Sequence, residues 1–255
     1  MIVLVTGACG VLGSRVCAEL ASRGHAVRAA CRHDTSVPDT VSRVPLDLAT
    51  GEGLPDAVDG ADAIVHCATD RRRHRRVDRD GTRLLAAAAR AGGAHLVYPG
   101  IVGADLVPLP YLRSKVAAEE AVAGSGLPWS VLRSTDFHHH VWGLMARRAR
   151  RPVMVVPAGM RHQPIDPQVV ARRLVDLVEA GPAGRVADIG GPRRYEAAAL
   201  ARSYLAAAGM RRLVVRVNQP GIAGAALRAG ANLVGEAVTE GASWNDFVAE
   251  RISVR

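Results

Sequence analysis

Short apolar runs alternate with helical stretches through the first half of this chain, and this rhythm constrains the fold more than any other feature. Most of the runs are nearly continuous in apolar residues, which is typical of strands buried on both faces of a parallel sheet. They predict strands at 2–6, 25–31, 41–48, 61–68, 95–102 and 129–134. The stretches between them predict helices at 11–23, 77–92 and 112–125. Connections of this length imply right-handed crossovers, so we expect an α/β fold built on a doubly wound parallel sheet.

The pattern is looser after about residue 150. Asp166 is a predicted N-cap, followed by Pro167 at the first position of a helix. Short strands are expected at 185–191 and 213–218, and helices near 194–208, 220–230 and 243–252. We therefore expect a first lobe over residues 1–150 and a smaller C-terminal α/β lobe over residues 151–255.

Charge and composition argue against two classes of partner. The 255 residues carry a net charge of +9, which raises the question of nucleic-acid binding. The charges are scattered, however, and aromatic residues make up only 4%, which leaves few stacking platforms for single strands. No stretch of about 18 uncharged apolar residues occurs. We therefore predict neither a nucleic-acid partner nor a membrane partner.

The first residues and the cysteines bear on the compartment. The chain starts MIVLVTG, directly in a strand pattern, without the basic segment or cleavage site of a signal peptide. Four cysteines lie in the first third of the chain and form no CxxC pair: Cys9, Cys17, Cys31 and Cys67. We therefore expect a cytoplasmic protein with reduced thiols.

A glycine-rich turn, TGACGVLG (6–13), follows the first predicted strand directly and opens the first helix. Glycines in such a place permit a tight turn, allow backbone amides to approach a pyrophosphate and let the helix pack closely on the strand. The anion then lies at the positive end of the helix. The turn predicts a Rossmann-type dinucleotide site, with contacts from Gly7, Cys9, Gly10, Val11, Leu12 and Gly13.

The end of the second predicted strand bears on the choice between NADP and NAD. An acidic residue there would favour the free 2′-hydroxyl of NAD, whereas Arg32, with His33 beside it, suits the 2′-phosphate of NADP. The alternative is that Arg32 is merely exposed, since the chain is rich in arginine. We expect NADP(H) to be preferred over NAD(H). The adenine and ribose walls are predicted from residues at or directly after the ends of the third and fourth strands: Asp47, Leu48, Cys67, Ala68 and Thr69.

Several segments together resemble a known superfamily. They are TGACGVLG, VHCAT (65–69), VYPGIVG (97–103), YLRSK (111–115) and GLPWSVLRSTDF (126–137). The chain resembles the atypical and extended short-chain dehydrogenase/reductase superfamily, and most of all its NmrA-like NAD(P)-binding branch in GC-rich bacteria. The resemblance runs along the whole chain. It implies a Rossmann lobe with a smaller C-terminal lobe that shapes a substrate pocket.

The resemblance places Tyr111 and Lys115 in the catalytic YxxxK motif. Lys115 is the only lysine among the 33 lysines and arginines of the chain. Residues i and i+4 share one helix face, and an ammonium beside a phenol of pKa about 10 lowers that pKa, so Tyr111 becomes a usable acid or base. The ammonium is also a compact donor for the ribose hydroxyls of the nicotinamide, where a wide guanidinium would crowd.

The serine of the family's catalytic triad is missing. The resemblance places it at Gly100, and no serine or threonine occurs between residues 95 and 110. Loss of this donor to a developing oxyanion typically costs a few kcal/mol. We also expect Pro99 and Gly100 to widen the site beside the cofactor. Candidate substitutes for the serine are Tyr98, Asp105, Ser134, Thr135 and Asp136.

Two unusual clusters complete the candidate site. Five arginines in RRRHRR (71–76) follow the fourth strand. They form a solvated loop, or they bind an acidic or phosphorylated substrate or a second phosphate of the cofactor. The three consecutive histidines of FHHHV (137–141) diverge by about 100° each on a helix, so they do not converge on a metal. One of them can still face the pocket. The predicted pocket residues are Tyr98, Gly100, Ser134, Phe137, His138 and Trp142.

Two functional interpretations stay open at this point. In the first, an NADPH-dependent reductase uses Tyr111 to protonate an activated carbonyl, enone or quinone-like small molecule, in secondary metabolism. In the second, the fold serves a non-redox isomerase, cyclase or dehydratase, or an NADP-sensing regulatory binder. The alanine-rich helices at 82–92 and 112–125 either form a dimer face or pack on the sheet, so a monomer and a homodimer are both compatible with the sequence.

Overall fold

The computed structural model describes residues 1–32, 40–235 and 241–253. The strands are β1 Ile2–Thr6, β2 Ala26–Cys31, β3 Val41–Pro45, β4 Ala63–His66, β5 His95–Ile101, β6 Trp129–Ser134, β7 Val153–Pro157, β8 Arg161–His162, β9 Gly184–Arg185, β10 Tyr195–Glu196 and β11 Leu213–Val217. The helices are α1 Val11–Ser22, α2 Leu54–Val58, α3 Gly81–Ala89, α4 Pro110–Ala123, α5 His138–Arg148, α6 Pro167–Ala180, α7 Ala197–Ala207, α8 Gly221–Ala229 and α9 Trp244–Ser253. A π-helix, Arg75–Asp80, precedes α3.

Seven strands form a parallel sheet in the order β3-β2-β1-β4-β5-β6-β9. The central strand β1 pairs with β2 and β4, and its residues Val3, Leu4 and Val5 are fully buried. Apolar side chains point alternately to the two faces of a strand, so full burial of successive residues means that both faces are covered. The predicted doubly wound Rossmann-type sheet is confirmed.

The chain divides into two compact units that interleave along the sequence. The first unit contains residues 1–100, 110–133 and 170–187. The second unit contains residues 101–109, 134–169 and 188–255. This division differs from the expected single cut at residue 150, which lies inside the second unit. The difference arises because strand β9 and most of helix α6 return to the first unit, where β9 extends the parallel sheet beside β6.

The second unit has a core of its own. Strand β11 pairs in parallel with β7, and β10 pairs antiparallel with β8. Helices α5, α7 and α9 contribute a cluster of aromatic side chains that includes Trp142, Tyr204, Trp244 and Phe247. The predicted cap of α6 is confirmed, because the backbone amide of Gln168 donates to Asp166 Oδ1 at 2.9 Å. The strand expected at 185–191 is shorter, since β9 ends at Arg185.

A disulfide joins Cys9 to Cys31, so the expectation that all four thiols are reduced is wrong for this pair. Pairing of β1 with β2 brings the residues after β1 beside the end of β2, and the two Cα atoms lie 6.3 Å apart. Their separation of 22 residues in sequence gives no hint of this proximity. Cys17 and Cys67 carry free thiols, and burial raises the pKa of Cys17 to about 12.

Within the described ranges, no helix is long and apolar enough to cross a membrane.

Candidate functional site

The glycine turn has the close packing that a dinucleotide cradle requires. Gly7 has φ +64°, and a Cβ there would lie 2.6 Å from the Cα of Ala68, two residues after the end of β4. A Cβ on Gly13 would collide with the carbonyl oxygen of Gly7. Gly10 is the N-cap of α1 and donates its amide to Gly7 O at 2.9 Å. No side chain of the described residues caps the first turn of α1, so its amides remain as donors for an anion, and the turn fits the pyrophosphate of a dinucleotide.

The other predicted turn residues lie around this cradle. Val11 is exposed and Leu12 is buried. Cys9 is exposed in the turn, and its disulfide ties the turn covalently to the end of β2. The predicted cofactor edge is therefore cross-linked at the point where the adenosine end of a dinucleotide lies in Rossmann folds.

Arg32 follows Cys31 directly and is partly exposed. Its Nη1 lies 4.0 Å from Asp70 Oδ2, and Arg73 Nε lies 3.2 Å from the same oxygen. His33 lies outside the described residues. Asp47 is half-buried and accepts the amide of Ala49 at 2.8 Å.

Tyr111 and Lys115, on helix α4, lie in a polar cluster with two residues that follow β4. The hydroxyl of Tyr111 is 3.0 Å from Thr69 Oγ1. Thr69 Oγ1 donates to Asp78 Oδ1 at 2.6 Å, and Lys115 Nζ lies 3.7 Å from that same oxygen. The four residues Tyr111, Thr69, Asp78 and Lys115 are called the polar centre below.

Lys115 is charged although it is buried. Its side chain is 6% exposed, that of Asp78 is fully buried, and Nζ lies 4.4 Å from the centroid of the Tyr98 ring. Burial alone lowers the pKa of the Lys115 ammonium, but Tyr98, Tyr111 and Asp78 outweigh it and raise the pKa above its usual value. The ammonium is therefore available as a fixed positive charge beside Tyr111.

Asp78 was not found from the sequence. It lies in the π-helix that precedes α3, and π-helical turns occur frequently at functional sites. The signal was present in VDRDGT (77–82), where Asp78 directly follows the buried Val77 and stands four residues before the buried Thr82. A charge in the buried stripe of a helix is rare unless it is paired.

His66, at the end of β4, links three elements beneath the polar centre. Its Nδ1 lies 2.6 Å from Thr6 Oγ1, and its Nε2 lies 2.9 Å from Thr82 Oγ1. Burial, and to a smaller extent the charge of Lys115, lowers the pKa of His66 to about 3. His66 is therefore neutral at physiological pH and holds the ends of β1 and β4 to helix α3.

Gly100 does not widen the site, so that expectation is wrong. A Cβ on Gly100 would collide with Glu119 Oε1 and would lie 2.8 Å from Arg133 Cγ. Arg133 Nη2 and Glu119 Oε2 form a buried ion pair at 2.7 Å. The space that a side chain at Gly100 would need is therefore already filled. Tyr98 is also fully buried and does not line an open pocket.

Four of the predicted pocket residues lie in the second unit. Ser134 is buried, and Phe137 and Trp142 are half-buried. The ring of His138 is buried against Phe247, with a centroid distance of 5.1 Å, and burial lowers the pKa of His138 to about 4. His138 is thus a neutral core residue, and the expectation that it faces a pocket is wrong.

The arginine-rich segment is partly packed. All five of its arginines are exposed, but Arg71 carries its guanidinium 4.9 Å from the centroid of the Tyr111 ring. His74 Nδ1 lies 2.7 Å from Ser114 Oγ on α4. The segment therefore adds positive charge directly beside Tyr111. Among the described residues, no three His, Cys, Asp or Glu side chains are grouped as metal ligands.

A family model described as NAD(P)H-binding matches residues 7–180. The chain belongs to this NAD(P)H-binding family. The fold is shared with an NADPH-dependent quinone oxidoreductase of Escherichia coli, solved with NADPH, at a TM-score of 0.77 and 18% identity over 97% of this chain and 99% of that one. The family match confirms the expected NAD(P)-binding family, and structures of the same fold include a short-chain dehydrogenase/reductase superfamily protein of Agrobacterium tumefaciens, at a TM-score of 0.74 and 20% identity over 99% of this chain and 96% of that one.

Relatives of higher identity include an uncharacterized Mycobacterium tuberculosis protein, 30% identical over 213 residues, or 79% of this chain. This chain spans only 23% of that protein's length. A second relative is the (4-alkanoyl-5-oxo-2,5-dihydrofuran-3-yl)methyl phosphate reductase of Streptomyces griseus, 30% identical over 208 residues, which cover 76% of this chain and 70% of the relative. The family match shows an NAD(P)H-binding protein.

Proposed function

We propose that this protein is an NADPH-dependent reductase of an activated carbonyl, enone or quinone-like small molecule. The observation that carries the proposal is the polar centre, in which Tyr111 is hydrogen-bonded to Thr69 while the buried Lys115 lies within 4 Å of Asp78. NADPH, when bound, supplies the hydride. The protein's own residues hold and deliver the proton.

The hydrogen-bond directions in the polar centre assign the proton. The Thr69 hydroxyl has one hydrogen, and it is donated to Asp78. The phenol of Tyr111 must then donate to Thr69 Oγ1, so Tyr111 holds its proton before substrate arrives. When that proton passes to the substrate, the Thr69 hydroxyl can rotate toward the phenolate, while Lys115 remains to balance the charge of Asp78. Tyr111 is the proton donor, and Asp78 is a positioning residue.

The type of substrate follows from what stands at Gly100. Because Glu119 fills the space there, no hydroxyl at that position can polarise a carbonyl oxygen. An acceptor already activated by conjugation needs this help least. The name of the Streptomyces griseus relative describes such a compound, an unsaturated lactone that carries an acyl group and a phosphate. The exposed arginines Arg71 and Arg72 would suit a phosphate on the substrate.

The preference for NADPH rests on Arg32. It occupies the end of β2, where NAD-dependent Rossmann proteins carry an acidic residue, and it is exposed enough to meet a 2′-phosphate. Arg73 also pairs with Asp70, so the Asp70 carboxylate keeps a cationic partner when Arg32 turns toward the 2′-phosphate.

The first test is a titration of the purified chain with NADPH and NADH, followed by nicotinamide fluorescence, for the wild type and Arg32→Ala. We expect NADPH to bind more tightly, with a loss of about tenfold or more in the variant for NADPH alone. A panel of quinones and acyl-activated enones is then screened for NADPH oxidation. Tight binding without oxidation of any of them would instead support the non-redox or sensing interpretation. The lack of a hydroxyl at Gly100 is compatible with that interpretation as well.

Asp78→Asn separates positioning from folding. The amide keeps the shape of the side chain but removes the carboxylate charge that helps to raise the pKa of Lys115. We expect kcat to fall about tenfold to a hundredfold, with the alkaline limb of its pH profile moved to lower pH because Lys115 loses its proton earlier. A loss of stability with an unchanged pH profile would contradict this role.

A further inference from the structure

The second unit carries a groove of about 550 Å³ between the C-terminal end of α5 and one face of the β7–β11 pair. A volume of this size is in the range of small-molecule sites. The groove is lined by Leu144, Arg147, Arg148, Arg151, Val153 and Val155, together with Val217 and the residues that follow it.

The floor of the groove is an apolar sheet face. Along β7 the side chains alternate, so Met154 and Val156 are buried in the core of the unit while Val153 and Val155 are 40% and 48% exposed. Val217, at the end of β11, is also largely exposed. Exposed apolar patches on a folded protein commonly mark ligand-binding grooves or interaction sites.

The wall of the groove is cationic. Arg147, Arg148 and Arg151 line it, and no aspartate or glutamate of the described residues does. Arg148 Nη1 is buried and has no hydrogen-bond partner within the described part of the chain. Buried polar atoms are nearly always paired, so an unpaired guanidinium nitrogen beside a groove indicates a missing acceptor. Burial, and then the neighbouring charge of Arg147, also lowers the pKa of Arg148, which an anion in the groove would reverse.

We propose that this groove binds an amphiphilic organic anion, with a carboxylate at Arg148 and a single alkyl chain over Val153 and Val155. A carboxylate accepts two parallel hydrogen bonds from a guanidinium. It would thereby supply the acceptor that Nη1 of Arg148 lacks. One buried unpaired nitrogen flanked by two exposed guanidiniums matches a singly charged head group. The site belongs to the second unit and does not depend on the reductase activity.

The test is isothermal titration of the full chain with decanoate, below its micellar concentration. We expect saturable binding with a stoichiometry of one, and binding about tenfold or more weaker for 1-decanol, which lacks the charge. Decyltrimethylammonium should not bind. Anionic phospholipid vesicles form a further arm, and capture by vesicles without binding of decanoate would overturn the proposal in favour of a membrane-surface role.

Three variants decide whether this groove is the site. Arg148→Gln should weaken decanoate binding about tenfold or more. Val155→Asp, a change at an exposed position, should abolish it by placing a negative charge on the floor. Arg150→Gln is the control, because Arg150 is an exposed neighbour that does not line the groove. Equal binding by all three folded variants, or no saturable binding by the wild type, would refute the proposal.

Discussion

Helix α4 buries two ion pairs one turn apart, and they differ in how they are built. Lys115 lies 3.7 Å from Asp78, and that carboxylate also accepts hydrogen bonds from Thr69 and from the amide of Asp70. The Arg133–Glu119 pair, by contrast, has three hydrogen bonds between 2.7 and 3.1 Å. In the first pair the Lys115–Asp78 contact is long and the Asp78 carboxylate is shared with two other donors. This contact can therefore adjust when the charge of Tyr111 changes. In the second pair the Arg133 guanidinium donates to both carboxylate oxygens of Glu119, and this contact holds α4 to β6.

The strand beneath explains why the two pairs lie side by side. Tyr98 and Gly100 are two residues apart on β5 and so face the same side of the sheet. Lys115 contacts the ring of Tyr98, and Glu119 occupies the space above Gly100. The absence of the family serine at Gly100 and the presence of the Arg133–Glu119 ion pair are therefore linked, because the ion pair occupies the space that the serine side chain would need. We interpret the first pair as functional and the second as structural.

The largest expected effect is on stability, from Arg133→Met. Removal of one partner leaves the carboxylate of Glu119 buried and unpaired, which costs about 3–5 kcal/mol of unfolding free energy. The double variant with Glu119→Leu should recover most of that loss. Urea denaturation measures both. A single variant as stable as the wild type would contradict the assignment of the pair as structural.

Tyr111→Phe should impair turnover and leave stability nearly unchanged, the opposite of what is expected for Arg133→Met. We expect turnover to fall about a thousandfold, because the proton donor is gone, while the unfolding free energy changes by less than about 1 kcal/mol. NADPH affinity, measured by fluorescence, is the control and should be unchanged. Residual turnover near the wild-type rate would remove Tyr111 from the mechanism.

The Cys9–Cys31 bond lies at the cofactor edge yet should act on stability, like the Arg133–Glu119 pair. Closing a loop of 22 residues stabilises a fold by about 3 kcal/mol in the chain-entropy account. Reduction with a dithiol should lower the unfolding free energy of the wild type by that amount. The Cys9→Ser/Cys31→Ser variant should already be less stable and should not respond to the dithiol.

Gly100→Ser restores the family residue but should not restore its chemistry. The new Cβ would displace Glu119, so we expect a loss of about 1–3 kcal/mol from overpacking, with no gain in the reduction of simple ketones. Gly100→Ala is the matched control and should cost about as much. A serine variant that reduces simple ketones faster would show that the ion pair yields.

The last effect, absent at neutral pH, is a decline of stability in acid, and it concerns only the first pair. His66 lies beneath Lys115 and its folded pKa is lowered to about 3 from an ordinary value of 6.5. As the pH falls from about 6.5 toward 3, the unfolded state binds a proton that the folded state does not, so stability declines over that window. His66→Gln keeps a donor and an acceptor and should flatten this slope in pH-dependent denaturation. An unaltered slope would assign the acid sensitivity to other groups.

The local parts of the candidate site were predictable, and the long-range parts were not. The spacing of Tyr111 and Lys115 and the glycines at 7, 10 and 13 are patterns within one turn or one helix, so the sequence places them directly. Asp78 reaches the same site from 33 residues before Tyr111. The pattern around it is helical, and nothing local shows that this carboxylate faces Lys115.

The sequence by itself determined the parallel α/β sheet, the dinucleotide turn and the tyrosine–lysine pair, because short-range periodicity and glycine geometry act within a few residues. Only the tertiary structure decided that Cys9 meets Cys31, that Glu119 fills the space at Gly100, and that His138 is buried in an aromatic core. These contacts join residues brought together by strand pairing and helix packing. Their partners are set by which elements become neighbours in the folded chain.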